Sequence, residues 1–437
     1  MRVSTGMIFD AGVAAINKQT ASLLHLQQQV SAGRRILTPA DDPVAAARAL
    51  EVTQSKDILA QYSTNQNNAK SALGLEEAQL TSVNDILGRL KELMVEGGNS
   101  HLAAGDRSAI AKELRARFDE LVGIANATDG SGQYLFAGYM GDTRPFAGAA
   151  DDLVANPASD VSYFGDDGQR RLQVSDSRQL EISDSGNDVF RRIRNGNGYF
   201  TTAYAAGNTG TGIIDAGAIT DPATWNALTD KNYAINFTVD NSVTPAVTYY
   251  DIVDTVSGAS MLTGAAGPAP LANQRVYTPG QAIVLKNQGA EPAFDLGANV
   301  IVNGDPATGD SFSLAPSSSQ SLFRTVANAI GALESNIASD ADRAKLSNDV
   351  GFALTNLSQA ENNILSVRAA IGSRLNEVDS LDSVRGDLDL QYQQTLSTLQ
   401  DLDYAKAISD LTRKQTDLTA AQQSFARVSQ LSLFNYL

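Results

Sequence analysis

Apolar residues recur at helical spacing near both ends of this 437-residue chain and lose that spacing in its middle. Val13, Ile16, Thr20, Leu23, Leu24, Gln27 and Val30 give a blurred three-four pattern that predicts a first helix, with Gly33 as its C-cap. Asp42 followed by Pro43 predicts a second start, because the carboxylate can accept an amide proton and proline has no N–H to leave unpaired. That helix runs into the Ala-rich residues 44–50. Ala69, Leu73, Glu76, Leu80, Val83, Leu87, Leu90 and Met94 then alternate steps of four and three, a heptad seam whose only polar member is Glu76. Beyond Gly97-Gly98-Asn99, Ile110, Leu114, Phe118, Leu121 and Ile124 predict a helix beginning near Asp106. Tyr134-Leu135-Phe136 and Pro145-Phe146 predict a β-hairpin packed on these helices.

Between residues 148 and 314 the helical period disappears. Segments 161–164, 172–174, 233–239, 247–253, 282–285 and 299–302 read as strands, the middle two as a pair rich in β-branched and aromatic residues. Asn195-Gly196, Asn197-Gly198 and Asn303-Gly304 are turn signals between them. A β-rich module inserted into a helical frame follows, with its topology left open.

Helix returns at Leu322, Val326, Ile330, Leu333 and Ile337. Leu346, Val350, Ala353, Leu357, Ala360, Ile364, Val367 and Ile371 then hold the heptad, which resumes through Val378, Leu381, Arg385, Leu388, Tyr392 and Leu399 without a proline. At 1.5 Å per residue, 346–399 would form a rod of about 80 Å, which predicts an elongated molecule. From Asp401 the stripe continues through Tyr404, Ile408, Leu411, Leu418, Ala421, Phe425 and Val428 to Leu433-Phe434-Asn435-Tyr436-Leu437. The expected fold class is α+β: a long antiparallel helical bundle or coiled coil from both chain ends, with an inserted β-rich domain. The expected domains are 1–40 with 401–437 as terminal coiled-coil segments, 41–147 with 315–400 as a helical core carrying the hairpin, and 148–314 as the insert.

An intramolecular bundle accounts for the stripes at 62–127 and 322–399. The last 37 residues find an equally apolar counterpart only at the far N-terminus. Leaving such side chains in water costs about 25 cal/mol per Å² of apolar surface, so another subunit or a partner should cover them. The expected assembly interface is Ile16, Leu23, Leu24, Val30, Ile408, Leu411, Leu418, Phe425, Val428, Leu431, Leu433, Phe434 and Leu437.

Composition narrows the function. Hydrophobic residues make up 43%, enough for a core, while aromatics are only 6%, which suits thin helical layers. A formal charge of −16 argues against nucleic acid and against anionic membrane surfaces, both of which select basic faces. No segment approaches the roughly 20 apolar residues of a membrane span. Met1-Arg2-Val3-Ser4-Thr5-Gly6 opens no unbroken apolar run, so no cleaved signal peptide is expected. Absence of cysteine removes disulfides and thiol chemistry.

Candidate chemistry is sparse. His25 and His101 are the only histidines, and no acids or further ligands stand at triad or zinc spacing around them. The run Gly207-Asn208-Thr209-Gly210-Thr211-Gly212 lacks the lysine and the strand-to-helix setting of a phosphate loop. Asp41-Asp42, Asp151-Asp152, Asp166-Asp167 and Asp340 with Asp342 lack a calcium-loop pattern, and Asp42 already serves as a cap. No catalysis, cofactor or metal is expected.

Several segments together carry a resemblance. Met1-Arg2-Val3-Ser4-Thr5, the run from Val30-Ser31-Ala32-Gly33-Arg34-Arg35 through Ile36-Leu37-Thr38-Pro39-Ala40-Asp41-Asp42-Pro43, and Asp401-Leu402-Asp403-Tyr404-Ala405 onward resemble the flagellin superfamily. Pro43 after the paired aspartates, Tyr134-Leu135-Phe136-Ala137-Gly138 with Asp142-Thr143-Arg144-Pro145-Phe146, and the final ten residues are most similar to its hook–filament junction family. Residues 304–312 resemble a segment of hook-associated proteins. The resemblance implies terminal helices that pair as a coiled coil lining an axial tube, disordered in the monomer, with the β-rich domain facing outward. It implies export through the flagellar type III route to an extracellular flagellum. The implied partners are further copies in a ring, the other junction protein, flagellin, and a cytoplasmic export chaperone on the C-terminal segment. Two alternatives stand beside it: a flagellin that builds the filament itself, and a β module acting as a hydrolase or glycan-binding domain.

Overall fold

The computed structural model describes residues 5–99 and 101–430. Its helices are α1 (Thr5–Ala32), α2 (Pro43–Gly97), α3 (Ala104–Ala125), α4 (Ala150–Ala155), α5 (Pro222–Ala227), α6 (Leu322–Glu334), α7 (Asp340–Gln400) and α8 (Tyr404–Gln430). The chain divides into two compact units, one of Met1–Asn67, Gln173–Arg178 and Val378–Leu437, the other of Asn68–Leu172 and Gln179–Glu377. The division falls inside α2 and α7, and the β-rich segment lies in the larger unit apart from residues 173–178.

In the larger unit the seam behaves as its spacing predicts. Every member from Ala69 to Met94 is buried, Glu76 included. Ile110, Leu114, Phe118 and Leu121 of α3 and Leu346, Leu357, Ala360, Ile364 and Ile371 of α7 are buried as well, and the ion pairs Arg89–Glu113, Lys91–Glu361 and Arg368–Glu77 join α2 to those two helices. The few aromatics are concentrated rather than spread: Phe118, Phe136, Phe146, Phe190 and Phe323 are all fully buried. Their neighbouring ring centroids lie 5.1 to 5.9 Å apart, mostly edge-on or tilted.

The expected hairpin is corrected in form. Tyr134 makes only an isolated bridge to Thr128, and the strand Phe146–Ala147 pairs instead with Ser162–Tyr163. Leu135 and Phe136 are drawn into the core from a turn-rich loop, in which Gly138 takes a φ of +69° against Asp166. Burial of two successive large side chains defeats the alternation that a hairpin arm needs.

The six expected strands all appear, within Ser162–Tyr163, Arg171–Ser175, Tyr233–Asp240, Val247–Asp254, Ala282–Lys286 and Asp295–Asn303. Their topology is antiparallel throughout the main sheet, in the order Arg275–Val276, Val247–Asp254, Tyr233–Asp240, Ser311–Pro316, Phe200–Tyr204. The pair foreseen from composition runs from Val247 opposite Asp240 to Asp254 opposite Tyr233. A smaller sheet around Asp295–Asn303 joins it over a core containing Phe200, Trp225, Ile235, Phe237, Leu285 and Phe312. Polar residues of α7 pin this module: Asn348 accepts from the Ile214 amide and donates to Gly212 O, and Lys345 Nζ donates to Ala206 O.

Candidate assembly surface

The surface that could carry self-assembly is built in the smaller unit, where two helix–turn–helix elbows are joined. α1 ends because Gly33 takes a φ of +66°, a left-handed conformation costly for other residues. α2 begins where Asp42 Oδ1 accepts the Ala45 amide at 3.0 Å. Between them Asp41 Oδ2 accepts the amides of Leu37 and Thr38, each at 2.9 Å, and His25 Nε2 lies 3.1 Å from Asp41 Oδ1. The Thr38 amide chiefly holds the Asp41 carboxyl below its usual range, with the Leu37 amide and His25 adding to it. The Ala45 amide, ahead of Arg35, does the same for Asp42. Both aspartates and His25 are therefore structural parts of one turn.

The second elbow, between α7 and α8, lies against the first. The Arg35 amide donates to Gln400 O at 2.7 Å and the Leu402 amide to Gly33 O at 3.1 Å. The Arg35 guanidinium donates to Asp42 Oδ2 and to Leu399 O, at 3.2 and 2.9 Å. One arginine thereby ties the start of α2 to the end of α7.

From this junction α8 runs back along α1. A Cβ on Gly33 would meet the Tyr404 hydroxyl at 2.8 Å, and one on Gly12 would meet the Phe425 ring at 2.7 Å. Gly12 to Gly33 and Tyr404 to Phe425 span the same number of residues, so the helices are antiparallel and unslipped. Val13, Ile16, Leu23, Leu26 and Val30 on α1, with Leu411, Leu418, Ala421 and Phe425 on α8, are half-buried at heptad spacing. Ala407 is fully buried. Gln19, whose Oε1 is buried without a hydrogen-bond partner among the described residues, and Lys414 interrupt the seam with polar groups.

The thirteen residues expected at the interface thus separate. Ile16, Leu23, Val30, Leu411, Leu418 and Phe425 lie on the seam that the chain makes with itself. Leu24, Ile408 and Val428 face outward, with 54%, 53% and 52% of their surface exposed. Leu431, Leu433, Phe434 and Leu437 lie outside the described residues. Adjacent Leu23 and Leu24 could not share one face, since successive helical residues point about 100° apart. Sequence reasoning missed Val44 and Leu50 on the first turns of α2, 64% and 71% exposed, and the bonding of Arg35. An apolar residue outside the α2 seam was the available signal for both.

Elsewhere the suspected chemistry resolves into structure. Asp310 accepts the amides of Thr209 and Gly210 with its two carboxylate oxygens, so the Gly-rich run turns its N–H groups on an internal anion. Among the described residues no group of three His, Asp or Glu side chains could hold a metal ion, and no helix is long and apolar enough to cross a membrane.

Comparison with known proteins agrees with this architecture. Residues 3–140 match the family described as the bacterial flagellin N-terminal helical region. Flagellar hook-associated protein 3 of Escherichia coli K12 is 25% identical over 435 residues, covering 99% of each chain. The crystal structure of flagellar hook-associated protein 3 from Legionella pneumophila superposes with a TM-score of 0.70 at 28% identity, covering 80% of this chain and 98% of that one. Flagellin of Salmonella berta matches only in part, at 27% identity over 50% of this chain and 42% of its own.

Proposed function

We propose, for this hook–filament junction protein of the flagellin superfamily, that the α1–α8 pair is its assembly element. The chain is a structural subunit of the bacterial flagellum that joins hook to filament and templates flagellin assembly. The observation that carries the mechanism is the half-finished seam. Ile16, Leu23, Val30, Leu411, Leu418 and Phe425 are half-buried within one chain, while Leu24, Ile408 and Val428 remain in water. A two-helix layer this thin is marginal alone, because helix stability comes mostly from covering an apolar face. Further copies in a ring complete the cover. Residues 1–40 and 401–437 then line the tube, and the β-rich module faces outward.

The ring stands between the other junction protein and flagellin. The chain reaches the cell exterior without a cleaved signal, and a cytoplasmic chaperone shields its apolar C-terminal segment until export. The partial match of flagellins, against full-length matches to hook-associated protein 3, favours the junction over the filament itself.

Imaging cells that lack this protein tests the function. Hooks without filaments, with flagellin lost to the medium, are expected. Normal filaments would overturn it, as would micrometre-long filaments grown from this protein alone.

A further inference from the structure

A cavity of about 480 Å³ lies in the larger unit, where α4, α6 and α7 meet the strand Phe200–Tyr204. Tyr204, Arg324, Gly331, Asp349, Phe352 and Ala353 stand on its wall. Asp349 is half-buried there. Its Oδ2 accepts the Tyr204 hydroxyl at 3.0 Å, and among the described residues no ion pair or second hydrogen bond reaches this carboxylate. The Tyr204 ring stacks on that of Phe352, with centroids 6.4 Å apart and planes inclined by 15°. An acid drawn out of water without a counter-ion costs stability, and an apolar side chain would fill this wall without that cost. From this arrangement we infer that the cavity binds an alkylguanidinium group, carried by a small free cation or by an arginine of a neighbouring protein.

Three features select this chemistry. A guanidinium is planar, so its edge can donate to the Asp349 carboxylate while its face rests on an aromatic ring beside it. Gly331 and Ala353 leave room for an alkyl stem, and a Cβ built on Gly331 would meet no atom within 4 Å. The net charge of −16 draws cations toward the chain and repels anions. Arg324 is the opposing cation on the wall. Its Nη1 donates to Leu153 O at 2.7 Å and its Nη2 to the carbonyls of Asn156 and Ser159, so its charge is already solvated by backbone on the α4 side. Lys345, one turn before Asp349 on α7, is likewise held by Ala206 O.

The test is titration of the full-length chain with n-butylguanidinium, followed by saturation-transfer NMR, with pentanoate as the anionic counterpart of similar length. The guanidinium should bind with a Kd of about 1 mM, and pentanoate should not. Asp349→Asn keeps the shape and an acceptor for Tyr204 but loses the charge, and should weaken binding at least about tenfold. Gly331→Met fills the cavity with the charge intact and should weaken binding as much. Burial pushes the Asp349 carboxyl up to about 6 against the opposing bond from Tyr204. The parent's affinity should therefore fall as pH drops through that value, while Asp349→Asn shows no such fall. Tyr204 and Arg324, the other titratable groups on the wall, keep one charge state there, as does the probe. No binding by the parent, equal binding by both variants, or equal binding of pentanoate overturns the inference. Should Asp349→Asn fail to fold, Gly331→Met and the parent's pH profile carry the same test. Protein assembled on purified hooks and extended with flagellin separates the two sources. A site for a free cation still binds the probe in the assembly, whereas a site filled by a neighbour's arginine excludes it.

Discussion

The ring of Phe425 lies over Gly12, so close that a Cβ there would come within 2.7 Å of its Cδ2, and Phe9 flanks the same ring at 4.9 Å between centroids. This contact closes the far end of the α1–α8 pair, as Tyr404 against Gly33 closes the near end. Enlarging Gly12 should therefore open the pair without touching the larger unit. Gly12→Leu is expected to cost about 1–3 kcal/mol of local pairing by overpacking. Hook binding should fall while the main melting transition stays in place. Unchanged binding by sedimentation would show that the pair does not need this contact.

Marginal pairing has its own signature. In dilute monomer, amides of α1 and α8 should exchange orders of magnitude faster than those of residues 73–94 and 346–371, whose side chains form a closed core. Assembly should slow them. Strong protection of both terminal helices in monomer, measured by mass spectrometry, would mean that they fold without neighbours.

Removal of residues 431–437 should weaken assembly and leave the monomer's melting temperature unchanged. A large drop in that temperature would place these residues in the monomer's own core.

Asp42 caps α2 and also accepts from Arg35. Asp42→Ala should destabilise the first turn of α2, because the Ala45 amide loses its acceptor. The loss should appear as faster exchange at the start of α2. An equal effect at α3 would point to a global cause instead.

Glu76 gives a pH dependence. Burial, with the nearby Asp184 charge, pushes its carboxyl up to about 8, against the opposing pull of the Asp184 amide and Arg374. An acid raised in this way binds its proton more tightly folded than unfolded. Its contribution to stability is fully present below about 4.5, is lost progressively up to about 8, and is flat beyond. Glu76→Gln should remove that slope and raise the urea midpoint relative to the parent at pH 8. Parallel pH profiles of the two proteins would show that Glu76 is ionised in the fold. The Arg374 guanidinium, bonded to both oxygens of Asp184, stays in place in the variant.

Much of this architecture is legible along the chain because its signals are local. The seam from Ala69 to Met94 needs only a three-four count, and Asp42-Pro43 needs only the chemistry of a helix start. The strand pair at 233–240 and 247–254 is visible in its β-branched and aromatic content. The short helix α4 and the strands Phe200–Tyr204 and Ser311–Pro316 were not legible, since their short segments acquire shape from the sheet and helices that cover them. Asn348 looks like a solvent-facing helical residue in sequence, yet it is buried and holds the Ile214–Gly212 backbone.

The assembly residues divide in the same way. That both ends carry apolar stripes follows from the sequence alone, because periodicity is a property of neighbours within a few turns. Which stripe residues the chain covers for itself is different. Leu23 and Leu24 have the same chemistry and adjacent positions, and only the antiparallel register set by Gly12 with Phe425 and Gly33 with Tyr404 turns one inward and leaves the other in water. Register depends on contacts between residues almost the whole chain apart, and those exist only once the chain is folded.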